Sequence, residues 1–132
     1  MDRRRALRLI GVGALLTATT PLLAACQATG GQRFVIRMTG NNRYEPATLE
    51  VPRGATVIWQ NAGTNAQSVT CDPAKTRNGS HAQLPGSVVP WDSENLYAGD
   101  TWTRAFDTPG AYVYFSRFHE AEGMIGTITV KQ

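Results

Sequence analysis

The sequence predicts an all-β protein, with a two-sheet Greek-key β-sandwich that follows an N-terminal export signal. Short segments of alternating apolar and polar residues recur from Arg33 to the end of the chain. Clusters of Gly, Pro and Asn separate them, as such residues do between strands. Seven or eight segments of this kind are typical of a sandwich. An immunoglobulin-like sandwich has the same periodicity, but the sequence lacks the Cys–Trp–Cys signature of that fold.

Residues 1–25 have the character of an export signal. Four arginines lie within the first eight residues, and residues 9–23 form an uncharged run of about 15 residues. That run is shorter than the roughly 20 residues of a membrane-spanning helix and suits the apolar part of a signal peptide. The basic start resembles a twin-arginine signal, although the usual Ser or Thr and the Phe are missing.

The apolar run ends in Leu-Ala-Ala-Cys at Cys26, which resembles a bacterial lipobox, whose cysteine is lipidated and becomes the mature N-terminus. Several acyl chains on one cysteine hold a small domain at a membrane, because each buried CH2 contributes about 0.8 kcal/mol. Residues 26–32 are then a short tether, and residues 33–132 are a folded domain at the periplasmic face of the cell envelope. A signal cleaved without lipidation and an uncleaved anchor are the alternatives.

The basic charge of the chain belongs to the signal. The sequence has 13 basic and 10 acidic residues; four arginines and Asp2 precede Cys26, which leaves nine of each sign. No basic patch with interleaved aromatic residues remains, so we do not expect nucleic-acid binding. The acidic residues are scattered, without a carboxylate dyad, a nucleophile–base pair or a phosphate-binding loop in the sequence. We therefore do not predict an enzyme.

The strands follow one another from Arg33 onward. Alternating residues predict a first strand over Arg33–Thr39, and Gly-Asn-Asn at 40–42 predicts a turn. Apolar residues two positions apart share one face of each of the next two strands: Leu49 with Val51, and Val57 with Trp59. Residues 66–71 and Thr101–Phe106 are predicted as later strands.

Residues 72–100 are the most irregular part of the domain. Pro and Gly interrupt them repeatedly, which predicts loops and one helical turn near Asp72–Lys75. His81 lies there and is expected to be solvated unless it binds a metal. Cys71 ends the preceding strand and has no disulfide partner if Cys26 carries lipid, so we expect a buried thiol that packs as a small apolar side chain.

Two stretches resemble the cupredoxins, the small blue copper proteins, and among them plastocyanin and pseudoazurin. Residues 44–61 follow the pattern aromatic-x-Pro-x2-Leu-x-Val-x2-Gly-x2-Val-x-Trp-x-Asn. Residues 109–126 follow Pro-Gly-x-Tyr-x-Tyr-x-Cys-x2-His-x4-Met-x-Gly, with Ser116 in place of the Cys. The resemblance implies a cupredoxin-like sandwich, copper as cofactor, and one-electron transfer to a partner that meets an apolar patch, here Phe118 beside His119.

The resemblance also implies four metal-ligand positions, at Gln67, Ser116, His119 and Met124, where the family has His, Cys, His and Met. A blue copper centre depends on its thiolate, and a serine hydroxyl keeps its proton at neutral pH. Gln67 offers only an amide oxygen. His119 and Met124 remain as two neutral donors, which make a poor site for Cu(II), and each of them also suits a purely structural role, His119 as a polar group at the loop and Met124 as core packing.

Two functions follow. The first is a lipid-anchored binding or accessory module with a degenerate centre, in which Gln67, Ser116 and His119 form a hydrogen-bonded network where the family holds copper. The second is an active electron-transfer or Cu(I)-handling protein that uses His119 and Met124 with Gln67 or His81, because soft donors suit Cu(I). Cys71 lies four residues beyond Gln67, about 13 Å along a strand, and is too far to replace the thiolate. The partners implied are the membrane, through the lipid, and a redox or other envelope protein.

Overall fold

A computed structural model of the chain describes residues 31–132. The predicted signal over residues 1–25, the lipidation site at Cys26 and most of the tether lie outside the described residues. The described part contains nine strands: β1 Arg33–Met38, β2 Tyr44–Glu45, β3 Thr48–Pro52, β4 Ala55–Asn61, β5 Thr70–Cys71, β6 Trp91–Asp92, β7 Thr101–Phe106, β8 Gly110–Phe115 and β9 Ile125–Lys131. Its helices are three 3₁₀ turns, at Pro73–Lys75, Gly79–His81 and Glu120–Glu122. Within residues 31–132, none has the length and hydrophobicity that crossing a membrane requires.

The strands form two sheets, with the orders β2-β1-β4-β7 and β3-β9-β8-β5-β6. β1 runs parallel to β4 and β3 runs parallel to β9, while the other neighbours are antiparallel. Consecutive strands such as β3 and β4, or β7 and β8, belong to different sheets, so the chain crosses repeatedly from one layer to the other. The predicted all-β sandwich of two sheets is confirmed.

An aromatic cluster fills the space between the sheets. Trp59 of β4 packs 5.4 Å from Tyr114 of β8, and Phe106 of β7 packs 5.1 Å from Tyr112, both in edge-to-face contact. Trp91 of β6 completes the cluster, 5.9 Å from Tyr112. All five side chains are buried, and edge-to-face pairs of this kind add to the stabilisation that burial gives.

Gly126 of β9 lies directly opposite Tyr114 of β8. A Cβ atom at position 126 would overlap the Tyr114 ring, which is fully buried and packed against Trp59. The sheet therefore accepts glycine alone at this position without a shift of the ring.

The strand predicted over residues 66–71 is much shorter in the structure. Only Thr70–Cys71 is regular strand, and Gln67 forms an isolated bridge with Leu96. The strand is interrupted between Gln67 and Thr70 because the Val69 N–H donates to the Ser93 hydroxyl, 2.8 Å away, rather than to a backbone carbonyl. Residues 91–96 pair with both ends of this segment, and this pairing creates β6, a strand that the sequence analysis did not predict.

The other predicted elements lie where the sequence indicated. The first strand ends one residue early, at Met38, and Thr101–Phe106 is a strand. The helical turn expected near Asp72–Lys75 is the 3₁₀ turn Pro73–Lys75, where the Asp72 carboxylate accepts a hydrogen bond of 3.0 Å from the Ala74 N–H. Val57 and Trp59 share the core face of β4.

Candidate metal centre

Three of the four predicted ligand positions lie in one tight loop between β8 and β9. Ser116 directly follows β8, and its N–H donates to the Met124 carbonyl at 3.2 Å. The His119 N–H donates to the Ser116 carbonyl, and the Met124 N–H donates to the His119 carbonyl, each at 3.2 Å. Gly123, with φ of +89°, lets the chain turn back towards β9. The loop thus holds Ser116, His119 and Met124 together through its backbone.

Gln67, the fourth position, contacts this loop through Ser116. The Ser116 hydroxyl donates to Gln67 Oε1 at 3.0 Å and accepts from the Ser68 N–H at 3.3 Å. Both side chains are buried. The hydrogen bond predicted between Gln67 and Ser116 is therefore present, and it uses the oxygen atoms that would have to face a metal.

His119 is not hydrogen-bonded directly to that pair, and it reaches the predicted network through Glu122 and Asn42. Its Nδ1 lies 3.1 Å from Glu122 Oε2, and because an ionised carboxylate only accepts, the imidazole nitrogen carries the proton of this bond. The hydrogen bond from His119 lowers the pKa of the Glu122 carboxyl. Nδ1 of His119 therefore has no lone pair free for a metal, whereas Nε2 of the same neutral ring keeps one.

Asn42 connects the two halves of the site. Its Oδ1 accepts from Gln67 Nε2 at 2.9 Å and from Asn65 Nδ2 at 3.1 Å, and its own Nδ2 donates to Glu122 Oε1 at 3.3 Å. Asn42 has φ of +60°, a left-handed conformation that asparagine tolerates better than most residues. A continuous chain of hydrogen bonds therefore leads from Ser116 through Gln67, Asn42 and Glu122 to His119.

Glu120 is a buried carboxylate that the sequence reading did not identify. Its side chain is only 6% exposed, and it accepts from His81 Nδ1 at 2.8 Å, from the Arg77 N–H at 3.0 Å and from the Thr76 hydroxyl. His81 is thus paired with Glu120 rather than solvated. Burial by itself would raise the pKa of Glu120, but the hydrogen bonds from Thr76, His81 and Arg77 together hold it below its ordinary value.

This shift predicts an acid-sensitive contribution to stability. Because the pKa of Glu120 is lower in the folded state, its contribution is complete above the pKa of an unfolded glutamate, about 4.3, and disappears as the pH falls through the folded value. We expect Glu120→Gln to cost about 1–3 kcal/mol of unfolding free energy at pH 7 and progressively less as the pH falls. Urea unfolding at several pH values measures this.

Glu50→Gln is the control for that experiment. Glu50 is exposed and lies 3.9 Å from Lys131, a surface pair whose removal should cost under about 0.5 kcal/mol at any pH. A Glu120→Gln penalty that stays constant from pH 7 to acid would contradict the assignment of the shift to ionised Glu120.

Cys71 is buried in the core, as predicted. Its thiol lies 3.1 Å from the Val113 carbonyl oxygen and 3.4 Å from that of Gln83, and burial raises its pKa to about 12. The sulfur is therefore protonated at neutral pH and faces β8 and the loop at residue 83. No group of three His, Cys, Asp or Glu side chains suited to a metal occurs within residues 31–132.

Comparison with known proteins assigns the fold to a family. The family described as copper binding proteins, plastocyanin/azurin family, matches residues 34–131. A plastocyanin from Scenedesmus fuscus is 32% identical over 88 residues, which are 67% of this chain and 86% of that protein. A purple cupredoxin from Nitrosopumilus maritimus superposes with a TM-score of 0.57 at 26% identity, over 74% of this chain and 98% of that one. A pseudoazurin from Methylobacterium extorquens AM1 superposes with a TM-score of 0.62 at 14% identity, over 76% of each chain.

Copper is the cofactor of this family, and the donors at the four positions do not fit a blue copper centre. Such a centre requires a thiolate and two imidazoles, whereas these positions offer an alcohol, an amide, one imidazole and one thioether. The alcohol and the amide are already hydrogen-bonded to each other. The metal-binding role of these four residues stays a prediction. Because the family match extends over nearly the whole sandwich, the chain is a member of the plastocyanin/azurin family of copper-binding proteins.

Proposed function

We propose that this protein is a lipid-anchored cupredoxin domain with a degenerate copper site, and that it acts in the cell envelope as a non-enzymatic binding or accessory module. The observation that carries the proposal is the hydrogen bond of 3.0 Å between Ser116 and Gln67, where the family pattern has Cys and His. Side chains that satisfy each other need no metal to stay in place, because an unpaired buried polar group costs about 1–3 kcal/mol.

The neighbouring contacts support a site that is complete without a metal. Asn42 accepts from Gln67 and donates to Glu122, and Glu122 holds the imidazole of His119. Met124 is fully buried and packs in the core cluster. Each of the four positions therefore has a structural partner within the described domain.

The proposal predicts that copper leaves the protein unchanged. We expect residues 32–132, titrated with Cu(II) or with Cu(I), to show no intense visible absorption and no rise in Tm. A ligand present at 1,000 times its dissociation constant would stabilise the folded state by about 4 kcal/mol, so a scan of thermal unfolding detects even moderate binding. A blue species would contradict the assignment of Ser116 to the thiolate position.

The second candidate function is copper handling by His119 and Met124, with Gln67 or His81 as a further donor. The proximity of His119 and Met124, whose backbones share a hydrogen bond of 3.2 Å, favours it. Because the thioether of Met124 is a soft donor and imidazole also binds copper, this site would prefer Cu(I). A rise in Tm with Cu(I) but without blue colour, abolished by His119→Ala, would select this function over the first.

The proposed location rests on the N-terminal sequence, and the proposed protein partner rests on the loop end of the sandwich. The basic, apolar signal and the lipobox-like segment ending at Cys26 support export and attachment to a membrane by lipid. A protein partner of the envelope would find Phe118, which is partly exposed beside His119, at the loop end of the sandwich. Mass spectrometry of the mature protein, with Cys26→Ser as control, tests the lipidation directly.

A further inference from the structure

The outer surface of the sheet β2-β1-β4-β7 carries an uncharged row flanked by arginines. Val35, Ile58 and Thr103 lie side by side on three adjacent strands, because β1, β4 and β7 pair in that register. Arg33 and Arg37 lie two residues to either side of Val35 and share its outward direction. We call these five residues the first-sheet face.

The first-sheet face is open to solvent. Val35 is 52% exposed, an unusual state for a large aliphatic side chain, and Arg33, Arg37 and Thr103 are exposed as well. Glu45 is the acidic side chain next to this face, opposite Arg37 on β2. Charge on the face is therefore mostly positive, although the basic and acidic residues of the folded domain are equal in number.

The outer surface of the other sheet differs in charge. Two exposed charged residues on it, Glu50 and Lys131, have opposite signs and lie 3.9 Å apart. The two outer surfaces of the sandwich thus present different chemistry to their surroundings.

The chain enters the domain at the first sheet. Gln32, the residue before β1, accepts a hydrogen bond of 2.8 Å from the Thr56 N–H of β4. Five residues separate Gln32 from Cys26, so the two are six steps apart along the chain, and an extended chain spans at most about 3.6 Å per step. A lipid on Cys26 would therefore keep the start of β1 within roughly 20 Å of the bilayer.

We propose that the first-sheet face rests on an anionic phospholipid surface, with Arg33 and Arg37 on lipid phosphates and Val35 and Ile58 at the level of the head groups. This inference rests on the proposed lipid anchor. Guanidinium groups bind phosphate through two parallel hydrogen bonds, and arginine is suited to an interface where its apolar stem is buried and its charged end is wet. The anchor keeps the face close to the lipid, so weak contacts are sufficient.

This orientation has a consequence for the candidate metal centre. β1 runs from Arg33 to Met38, so Met38 lies at the end of the sheet that is nearer the candidate metal centre. There its carbonyl accepts a hydrogen bond from the N–H of Ala62, the residue that follows β4. With the face on the bilayer, the strands run roughly along the membrane plane. The loop that carries Phe118 and His119 then points sideways, towards other proteins of the same membrane.

A fluorescent probe on each sheet tests the proposal. The mature chain, purified after export by the cell, is reconstituted in vesicles of phosphatidylcholine, with or without phosphatidylglycerol, after Thr103→Cys or Thr48→Cys and labelling with a polarity-sensitive dye. Both threonines are exposed on edge strands, β7 and β3, of opposite sheets. Cys71 does not compete for the dye, because it is buried and its pKa is about 12.

We expect a blue shift of the Thr103→Cys probe in phosphatidylglycerol vesicles and none for Thr48→Cys. Adding Arg33→Gln and Arg37→Gln should weaken lipid contact about fivefold per arginine, while Lys131→Gln on the other sheet leaves it unchanged. Protein that floats with vesicles but shows equal shifts at both positions would contradict the contact between the first-sheet face and the lipid, and would leave the lipid anchor standing. A shift that follows protein concentration rather than lipid would assign the face to a second copy of the chain. Protein that fails to float would overturn the anchor itself.

Discussion

Replacing Ser116 by Cys and Gln67 by His in one chain is expected to produce a blue protein when Cu(II) is added. The introduced cysteine supplies the soft, anionic sulfur of a type 1 site, and the introduced histidine supplies its second imidazole. Ser116 and Gln67 already contact each other at 3.0 Å, so the new donors start close together. Visible absorption and EPR measure the outcome, and Tm should rise with copper.

The single variants are the controls for this experiment. Gln67→His alone leaves an alcohol at position 116 and should stay colourless. Ser116→Cys alone leaves a neutral amide as the fourth donor and should bind copper more weakly than the double variant. If the double variant folds, as shown by an unchanged far-UV spectrum, and remains colourless with copper, then position 116 is not the thiolate position and the alignment with the family is wrong.

Gly126→Ala is expected to cost about 3 kcal/mol or more of unfolding free energy. The added Cβ would overlap the Tyr114 ring. That ring cannot turn aside, because it is fully buried and packs against Trp59 at 5.4 Å and Tyr44 at 4.7 Å. Equilibrium unfolding in urea gives the free energy, and a Tm lower by more than about 10 °C should accompany it.

Gly86→Ala is the matched control, since a Cβ at position 86 meets no atom within 4 Å. Its effect should be within about 0.5 kcal/mol of zero. A second variant, Gly126→Ala with Tyr114→Phe, separates the ring from its hydroxyl, because both the ring carbon and the oxygen of Tyr114 are in the way. Equal stabilities of Gly126→Ala and Gly86→Ala would show that β8 and β9 do not pack as described.

The fold could be predicted because its signals are local. Val57 and Trp59 lie two positions apart on β4, so they share one face of the strand, and that face is the buried one. The fixed spacing of Ser116, His119 and Met124 likewise indicated one loop, and their backbones do contact one another. Ligand spacing of this kind needs no knowledge of the rest of the chain.

The partners of the site residues could not be predicted, because they are distant in sequence. Glu120 meets His81, 39 residues away, and Gln67 meets Asn42, 25 residues away. In the sequence Glu120, His81 and Asn42 are ordinary loop residues without periodicity. The Gly-Asn-Asn turn at residues 40–42 is the one sequence signal for these contacts, because asparagine tolerates the left-handed backbone that Asn42 adopts.

The shortened strand over residues 66–71 has a similar explanation. Its alternation is that of a strand, but a strand needs a continuous partner, and residues 91–96 offer one only at its ends. In between, the Ser93 hydroxyl takes the place of a backbone carbonyl. Competition between side chains and backbone for the same N–H group is not visible in hydropathy.

The contacts of Glu120 limit how this domain can be redesigned. The carboxylate belongs to the β8–β9 loop, but its donors come from residues 76–81. These hydrogen bonds hold the two segments to each other. Replacing this loop by one without a carboxylate at position 120 would leave His81 and the Arg77 N–H without their acceptor. An engineer who exchanges one segment must therefore exchange the other with it.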